Sequence, residues 1–433
     1  MRFVDLIQRK RDGGALSREE VDFFLGGYVD GKVPDSQAAA LLMAVFFSGL
    51  SDPELLDWTE SLVALSAPLD LGEWAGPKIG EDSTGGVGDK TSLIVGPLAA
   101  AAGILVPMLV GGGLAYTGGT LDRIQSITGF NARLGAKEFQ AALRKVGLAI
   151  NGPTDELARA ESKLNSLRNA TGTAECVPLI AASILSRQLA EGTSGVVVDI
   201  KTGAGSLIKK MTDSRRLAQS LVTVAKRKGM KAVSVITDME QPLGNAVGNA
   251  LEVMEAIETM RGNGPPDLAE LSLELAARMA TVADPSQSLE TAKDQMFKLL
   301  NEGKALEKFR QMIEAQGGNP QVIDNFELLP NASADFVVSS PRGGYISRIS
   351  ADDIGQATAL LGGSRETSAE KDYAVGIVLE HKVGDRIQAG ERLCTIYYNQ
   401  ETHLEEATQM VEDAFHISAA QPEARPLIYE VIQ

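Results

Sequence analysis

The stretch GEDSTGGVGDKTS, residues 80–92, sets hydroxyls and glycine N–H groups beside two consecutive carboxylates, Glu81 and Asp82. Glycine lets backbone approach a ligand closely, and a helix N-terminus offers unpaired N–H groups with partial positive charge. A loop of this make-up, running into the helical segment TSLIVGPLAAAAG, is the usual cradle of an anion. Two acids at its mouth contradict that use. A second glycine loop, VGGGLAYTGGTLD (residues 110–122), likewise follows an apolar run and opens a helix. Two such loops at strand-to-helix joints point to a ligand crevice at the strand ends of one sheet. Neither carries a nucleotide fingerprint: Asp89 separates Gly88 from Lys90, which breaks a Walker Gly-Lys-Thr, and no G-x-G-x-x-G precedes an acidic strand end.

Little else in the chain competes for chemistry. The three histidines, His381, His403 and His416, all fall in the last eighth, so catalysis in the first 380 residues runs without imidazole. Cys176 and Cys394 lie far apart, without metal spacing or a disulfide framework, which fits a reducing cytoplasm. No metal-ligand set or organic cofactor motif is expected. With 41 Lys and Arg against 57 Asp and Glu the net charge is −16, which argues against broad binding to nucleic acid or an anionic membrane. The charged N-terminus MRFVDLIQRKRDGG has no signal-peptide core, and the most apolar run, 91–110, is broken by proline and glycine rather than built to span a bilayer.

The elements that must hold the two loops follow from periodicity. Residues 1–65 read as helices, with Asp35 and Asp52 as helix caps and Pro53 in a first turn. From Lys78 the rhythm becomes strand, glycine loop, helix. ILVPMLV, VVVDI and AVSVIT are short apolar strands of a mostly parallel sheet covered on both faces. Residues 158–191 form a helical interruption that joins either the N-terminal helices or the sheet. From about 334 onward, β-branched and aromatic residues punctuated by glycine give a smaller α+β module with a closing helix at His403–Ala414.

STGGVGDKTSL, TGGTLDRIQSITGF, LRNATGT, PLIAASILS, LAEG, DIKTGAG, ITDMEQPLGNAVGNALEV and VGIVLEHKVGDRIQAGE stand in the order found in the pyrimidine-nucleoside and thymidine phosphorylase family, which the whole chain resembles. The resemblance implies an α/β fold with a separate small all-α domain. A mixed, mostly parallel sheet flanked by helices would carry a C-terminal α+β hammerhead-like module. The small helical domain would comprise 1–65 and 158–191, the α/β domain 66–157 and 192–333, and the C-terminal module 334–433. It also implies a cytoplasmic homodimer that closes its domains over a pyrimidine nucleoside, with no nucleic-acid or membrane partner. On the base side the resemblance assigns Arg168, Ser183 and Arg187, the last in place of the family's Lys, with Leu114 and Ile184 beside them. Aromatic residues that relatives place at positions matching Asn165 and Leu207 are missing. On the phosphate side Ser83, Ser92 and Thr120 are kept, with Thr84 adjacent. The family's Lys-His has become Glu81-Asp82, its second-loop Ser is Val110, its Arg is Gly112 and its His is Tyr116. A monovalent cation such as K+ is implied at Gly88, Leu243, Ala246 and Glu255; the Lys90 ammonium there either takes the cation's place or points to solvent.

These departures cluster at one end of the site. A unit charge at 4 Å is worth about 4 kcal/mol at an effective dielectric of 20, so replacing Lys by Glu turns attraction of a phosphate dianion into repulsion of similar size. The expectation is cleavage of an N-glycosidic bond with water favoured over phosphate. Asp82 is the expected base and Glu81 either assists it or binds sugar hydroxyls, in the way glycosidases use carboxylates; the alternative is that one of the two forms only a structural salt bridge. Arg187 would stabilise the departing base electrostatically, because a guanidinium is not a proton donor. Phosphorolysis with a weakened phosphate site and non-catalytic nucleoside binding remain the alternatives.

Overall fold

The computed structural model describes residues 1–67, 69, 71, 74, 76–113, 118–154, 156–363 and 371–433. Leu114 and Tyr116, named above from the second loop, lie outside the described residues.

The chain opens with four helices, α1 (Phe3–Arg11), α2 (Arg18–Val29), α3 (Asp35–Ser48) and α4 (Asp52–Ala64). Two begin with reciprocal caps, Ser17 with Glu20 and Ser51 with Glu54. The cap of α4 is therefore Ser51 rather than Asp52, because the serine hydroxyl accepts the Glu54 N–H while Glu54 reaches back. Nor does Asp35 cap α3: Pro34 holds that position, and the Asp35 carboxylate accepts the Tyr28 hydroxyl at 3.1 Å. The α/β part runs β1 (Ile79–Ser83), α5 (Ser92–Ala101), β2 (Val106–Leu109), α6 (Thr120–Ile124), α7 (Ala136–Val146) and β3 (Leu148–Asn151). Helices α8 (Arg159–Ala170) and α9 (Val177–Ala190) interrupt it before β4 (Gly195–Thr202), α10 (Met211–Arg227) and β5 (Lys231–Asp238). It continues through β6 (Ala246–Val247), α11 (Asn249–Met260), α12 (Pro266–Ala283), α13 (Leu289–Asn301) and α14 (Lys304–Ala315).

Strands β1, β4 and β5 pair in parallel, and the parallel pair β2–β3 is tied to β1 through a single bridge, Lys78 to Leu105. All eight residues of β4 are buried, as a strand covered on both faces requires. One face packs on α5 and α11–α14; the other shares a core with α1–α4 and α8–α10. Within that second core Phe24 and Trp58 of α2 and α4 meet Leu164 of α8 and Ile180 and Leu185 of α9, so the interrupting helices and the N-terminal helices bury one another.

The C-terminal module holds β7 (Ala334–Ser339), β8 (Gly344–Ile349), α15 (Ala351–Thr358), β9 (Gly376–Leu379), β10 (Arg386–Ile387), β11 (Arg392–Tyr398), α16 (Leu404–Ala414) and β12 (Phe415–Ser418). Its two sheets have orders β6-β9-β11-β7 and β10-β8-β12. The last strand, β13 (Ile428–Ile432), leaves the module and pairs antiparallel with β5 of the main sheet. Pattern alone places PLIYEVIQ in the module, because a two-residue period reports a strand and not its partner. No described helix is long and apolar enough to cross a membrane.

Candidate active site

A cleft of about 520 Å³ opens at the carboxyl ends of β1 and β2, lined on one side by both glycine loops and on the other by α8 and α9. Side chains alternate across a strand, so the consecutive acids of β1 face opposite ways. Glu81 turns toward α5, where Ser92 Oγ donates to its Oε1 at 3.1 Å; Asp82 turns toward α9, where Arg187 Nη2 donates to its Oδ2 at 2.6 Å. Both acids line the cleft, and the salt bridge that is one reading of the pair falls to Asp82. Each acid has its own partner.

The hydroxyls of the first loop are also committed. Ser83 Oγ donates to Asp89 Oδ2 at 2.5 Å, and Thr84 Oγ1 accepts the Lys201 N–H at 2.9 Å. Asp89 in turn takes the Thr91 hydroxyl at 2.7 Å and lies 3.6 Å from Lys201 Nζ, which is 2.6 Å from Asp199. Asp122 ties Gly113 and Gly119 of the second loop together: its Oδ2 accepts their N–H groups at 2.7 Å and 3.1 Å, and Lys371 pairs with Oδ1 at 2.5 Å. A Cβ on Gly119 would run into the backbone of Gly112 and Gly113, so close backbone approach requires glycine at that position. Thr120 and Ser92 line the same cleft.

The opposite wall is a chain of hydrogen bonds. Arg187 Nη1 donates to Ser183 Oγ at 2.7 Å, and Ser183 Oγ donates to Glu161 Oε2 at 2.5 Å. Arg168 spends its guanidinium on Ala174 O at 2.6 Å, Asn165 Oδ1 at 3.2 Å and Thr173 O at 3.4 Å. Ile184 and Leu207 add apolar surface to the cleft.

Burial sets the protonation pattern. It raises Glu81 well above its ordinary value near 4.5, with the neighbouring Asp82 charge adding to the effect. Asp82 is raised as well, by burial, but Arg187 opposes that rise by attraction and by its hydrogen bond. Both carboxyls are thus pushed toward their neutral forms, Asp82 less than Glu81 because Arg187 attracts its charge. A carboxyl raised on folding binds its proton more tightly in the native chain than in the unfolded one. Its stabilising contribution is complete below about pH 4.5 and is lost as pH rises through the higher native value. Glu81→Gln, which keeps an acceptor for Ser92, is therefore predicted to gain thermal stability relative to the parent as pH rises from 5 to 8. A stability gap that stays constant across that range would sink the assignment.

The site brings together Glu81, Asp82, Ser83, Thr84, Ser92 and Thr120 on one wall with Arg168, Ser183, Ile184 and Arg187 on the other. Gly88, Lys90, Leu243, Ala246 and Glu255 form a separate buried nook behind the first loop. There Lys90 Nζ donates to Leu243 O at 3.0 Å, Ala246 O at 2.8 Å and the Glu255 carboxylate, while the Gly88 carbonyl accepts the Lys90 backbone N–H at 3.0 Å. Lys90 points inward rather than to solvent. The sequence reading missed Glu161, Asp122, Lys201 and Lys371. Glu161 had a legible signal, because positions 161, 165 and 168 share one helical face with the assigned Arg168. Among the described residues no cluster of His, Cys, Asp and Glu is set to hold a metal ion. The three histidines lie outside the cleft.

Comparison with known proteins agrees with this architecture. Three family models match in order: the helical bundle domain of a glycosyl transferase family over residues 4–66, its a/b domain over 76–306, and the pyrimidine nucleoside phosphorylase C-terminal domain over 345–418. The pyrimidine-nucleoside phosphorylases of Geobacillus stearothermophilus and Bacillus subtilis are each 42% identical over 433 residues, covering all of both chains. The structure also resembles anthranilate phosphoribosyltransferase from Thermus thermophilus, with a TM-score of 0.58 at 16% identity over 72% of this chain and 99% of that one; this likeness concerns the fold alone.

Proposed function

Because the chain belongs to the pyrimidine-nucleoside phosphorylase family, we propose that it cleaves the N-glycosidic bond of a pyrimidine nucleoside, with water in place of phosphate as the acceptor. The observation that carries this reading is the direction of the hydrogen bonds around the first loop. A phosphate dianion needs donors, yet Ser83 and Ser92 give their protons to Asp89 and Glu81, and Asp122 takes two N–H groups of the second loop. These hydroxyls and N–H groups are thus spent within the protein, and Glu81 and Asp82 line the cleft beside them.

The chemistry then divides between the two walls. As the C1′–N bond breaks, its electron pair leaves with the base and positive charge grows on the sugar. The Asp82 carboxylate, whose ionised form Arg187 stabilises against burial, stabilises that charge and takes the proton of the attacking water. Arg187, spanning Asp82, Ser183 and Glu161, places a fixed positive charge beside the departing base. The base leaves as an anion and takes a proton from solvent, to which Asp82 returns the one it accepted, so nucleoside and water give base and free pentose. The homodimeric, cytoplasmic setting implied by the resemblance belongs to the same proposal.

Phosphorolysis is the competing reading, favoured by the names of the relatives and by Arg123 and Lys371, which line the same cleft. The two are separated by incubating the protein with uridine, thymidine and cytidine in phosphate-free buffer and again with added phosphate. Hydrolysis predicts equal base release in both, with free pentose as the second product. Release only with phosphate, yielding pentose 1-phosphate, overturns the choice of acceptor. Thermal stabilisation by nucleoside without any release would instead identify a binding protein.

A further inference from the structure

The nook behind the first loop has three oxygens converging on one buried point, the arrangement a small cation requires. The side-chain ammonium of Lys90 stands there. Lys90 is fully buried, at 0% exposure, and its Nζ has three protons to donate. Leu243 O, Ala246 O and the Glu255 carboxylate receive them, so donors and acceptors match in number. Gly88 presses the loop against the same turn: at φ +75 its Cβ would lie 2.6 Å from Leu243 O. Glu255 also accepts the N–H groups of Asn245 at 2.9 Å and Ala246 at 3.0 Å, which fixes the carboxylate before any ion arrives. A free monovalent cation does not fit this nook while the ammonium is in it.

We propose that Lys90 is a tethered monovalent cation, which makes this chain indifferent to the alkali ion that its resemblance implies at that place. A second lysine extends the device. Lys382 of the C-terminal module donates to Pro242 O and to Gly244 O at 2.6 Å, and pairs with Asp267 at 3.0 Å. The turn 242–246 is thus clasped by one ammonium from the first glycine loop and another from the last module. Neither can dissociate. The turn leads through β6 into α11, whose Glu252 holds Arg123, so the lysines fix the backbone on which the floor of the cleft rests.

The test compares thermal unfolding in KCl, NH4Cl and choline chloride at constant ionic strength. The parent protein is expected to unfold at the same temperature in all three. Lys90→Thr, which removes the ammonium and leaves space and an oxygen, is expected to be destabilised in choline. It should recover saturably with K+ or NH4+, by at least about 3 °C. Lys90→Met, which fills the space without charge, is expected not to recover. A saturable rise of the parent melting temperature with K+ overturns the proposal, as does a folded Lys90→Thr that ignores both ions. Should Lys90→Thr fail to fold in choline, its refolding yield with and without KCl reads the same dependence, and a yield indifferent to K+ and NH4+ counts against it. None of these outcomes depends on which acceptor the active site uses.

Discussion

Asp82→Asn is expected to lower phosphate-independent base release about 10³-fold, within the range of roughly 10² to 10⁴ supplied by a positioned acid or base, with little change in KM. Asparagine can still accept from Arg187, whose Nη2 lies 2.6 Å from the present carboxylate, so the geometry survives while charge and basicity are lost. The pH profile distinguishes this from general damage. Burial raises Asp82 above its ordinary value near 3.8 and Arg187 partly opposes the rise, so activity should fall as the medium is acidified through that raised value. In the variant this acid limb should vanish, leaving a low and flat residual rate. Retention of full activity by Asp82→Asn, or an unchanged acid limb, would remove the carboxylate from the mechanism.

The second large effect is expected at Arg187. Arg187→Met strands two carboxylates at once, the partly buried Asp82 at 2.6 Å and the buried Glu161 at 3.5 Å from the guanidinium. Breaking a buried ion pair from one side typically costs about 3–5 kcal/mol, since the partner charge is left uncompensated. Urea unfolding should report a loss of that size, together with an activity loss of at least about 10²-fold as Asp82 takes up a proton. Combining Arg187→Met with Asp82→Asn removes one of the orphaned charges and should recover part of the stability. The two substitutions are then non-additive in the favourable direction. Simple additivity would show that the pair contributes nothing beyond its separate members. Arg187→Lys should fall between, keeping charge but losing the planar fork that reaches Asp82 and Ser183 together.

Much of this site is legible along the chain, and the reason is locality. The glycine loops lie immediately before their helices, so composition and sequence neighbours define them. Ser183 and Arg187 are one helical turn apart on α9, and Arg168 shares a face of α8 with Asn165 and Glu161. Such spacings are fixed by the 3.6-residue period before any tertiary contact forms. The helical, parallel-strand and late α+β segments follow from hydrophobic period in the same way. The caps of α3 and α4 escape by one position, because adjacent residues of similar polarity compete for the same N–H groups.

What the sequence determined by itself was the set of groups: two consecutive acids before a glycine loop, a guanidinium one helical turn after a serine, and a lysine after the glycines. Which way those groups face was decided only by the fold. Strand β1 sends Glu81 and Asp82 to opposite sides, so one is buried beside Ser92 and the other is claimed by an arginine 105 positions away. Lys90 finds its oxygens more than 150 positions downstream, and β13 closes the sheet against β5 rather than its own module. Residue types set what a side chain can donate, accept or titrate. Its partners come from long-range packing, where the cost of burying an unpaired charge gives Asp82 and Lys90 ionic partners and pushes Glu81, which has none, toward its neutral form.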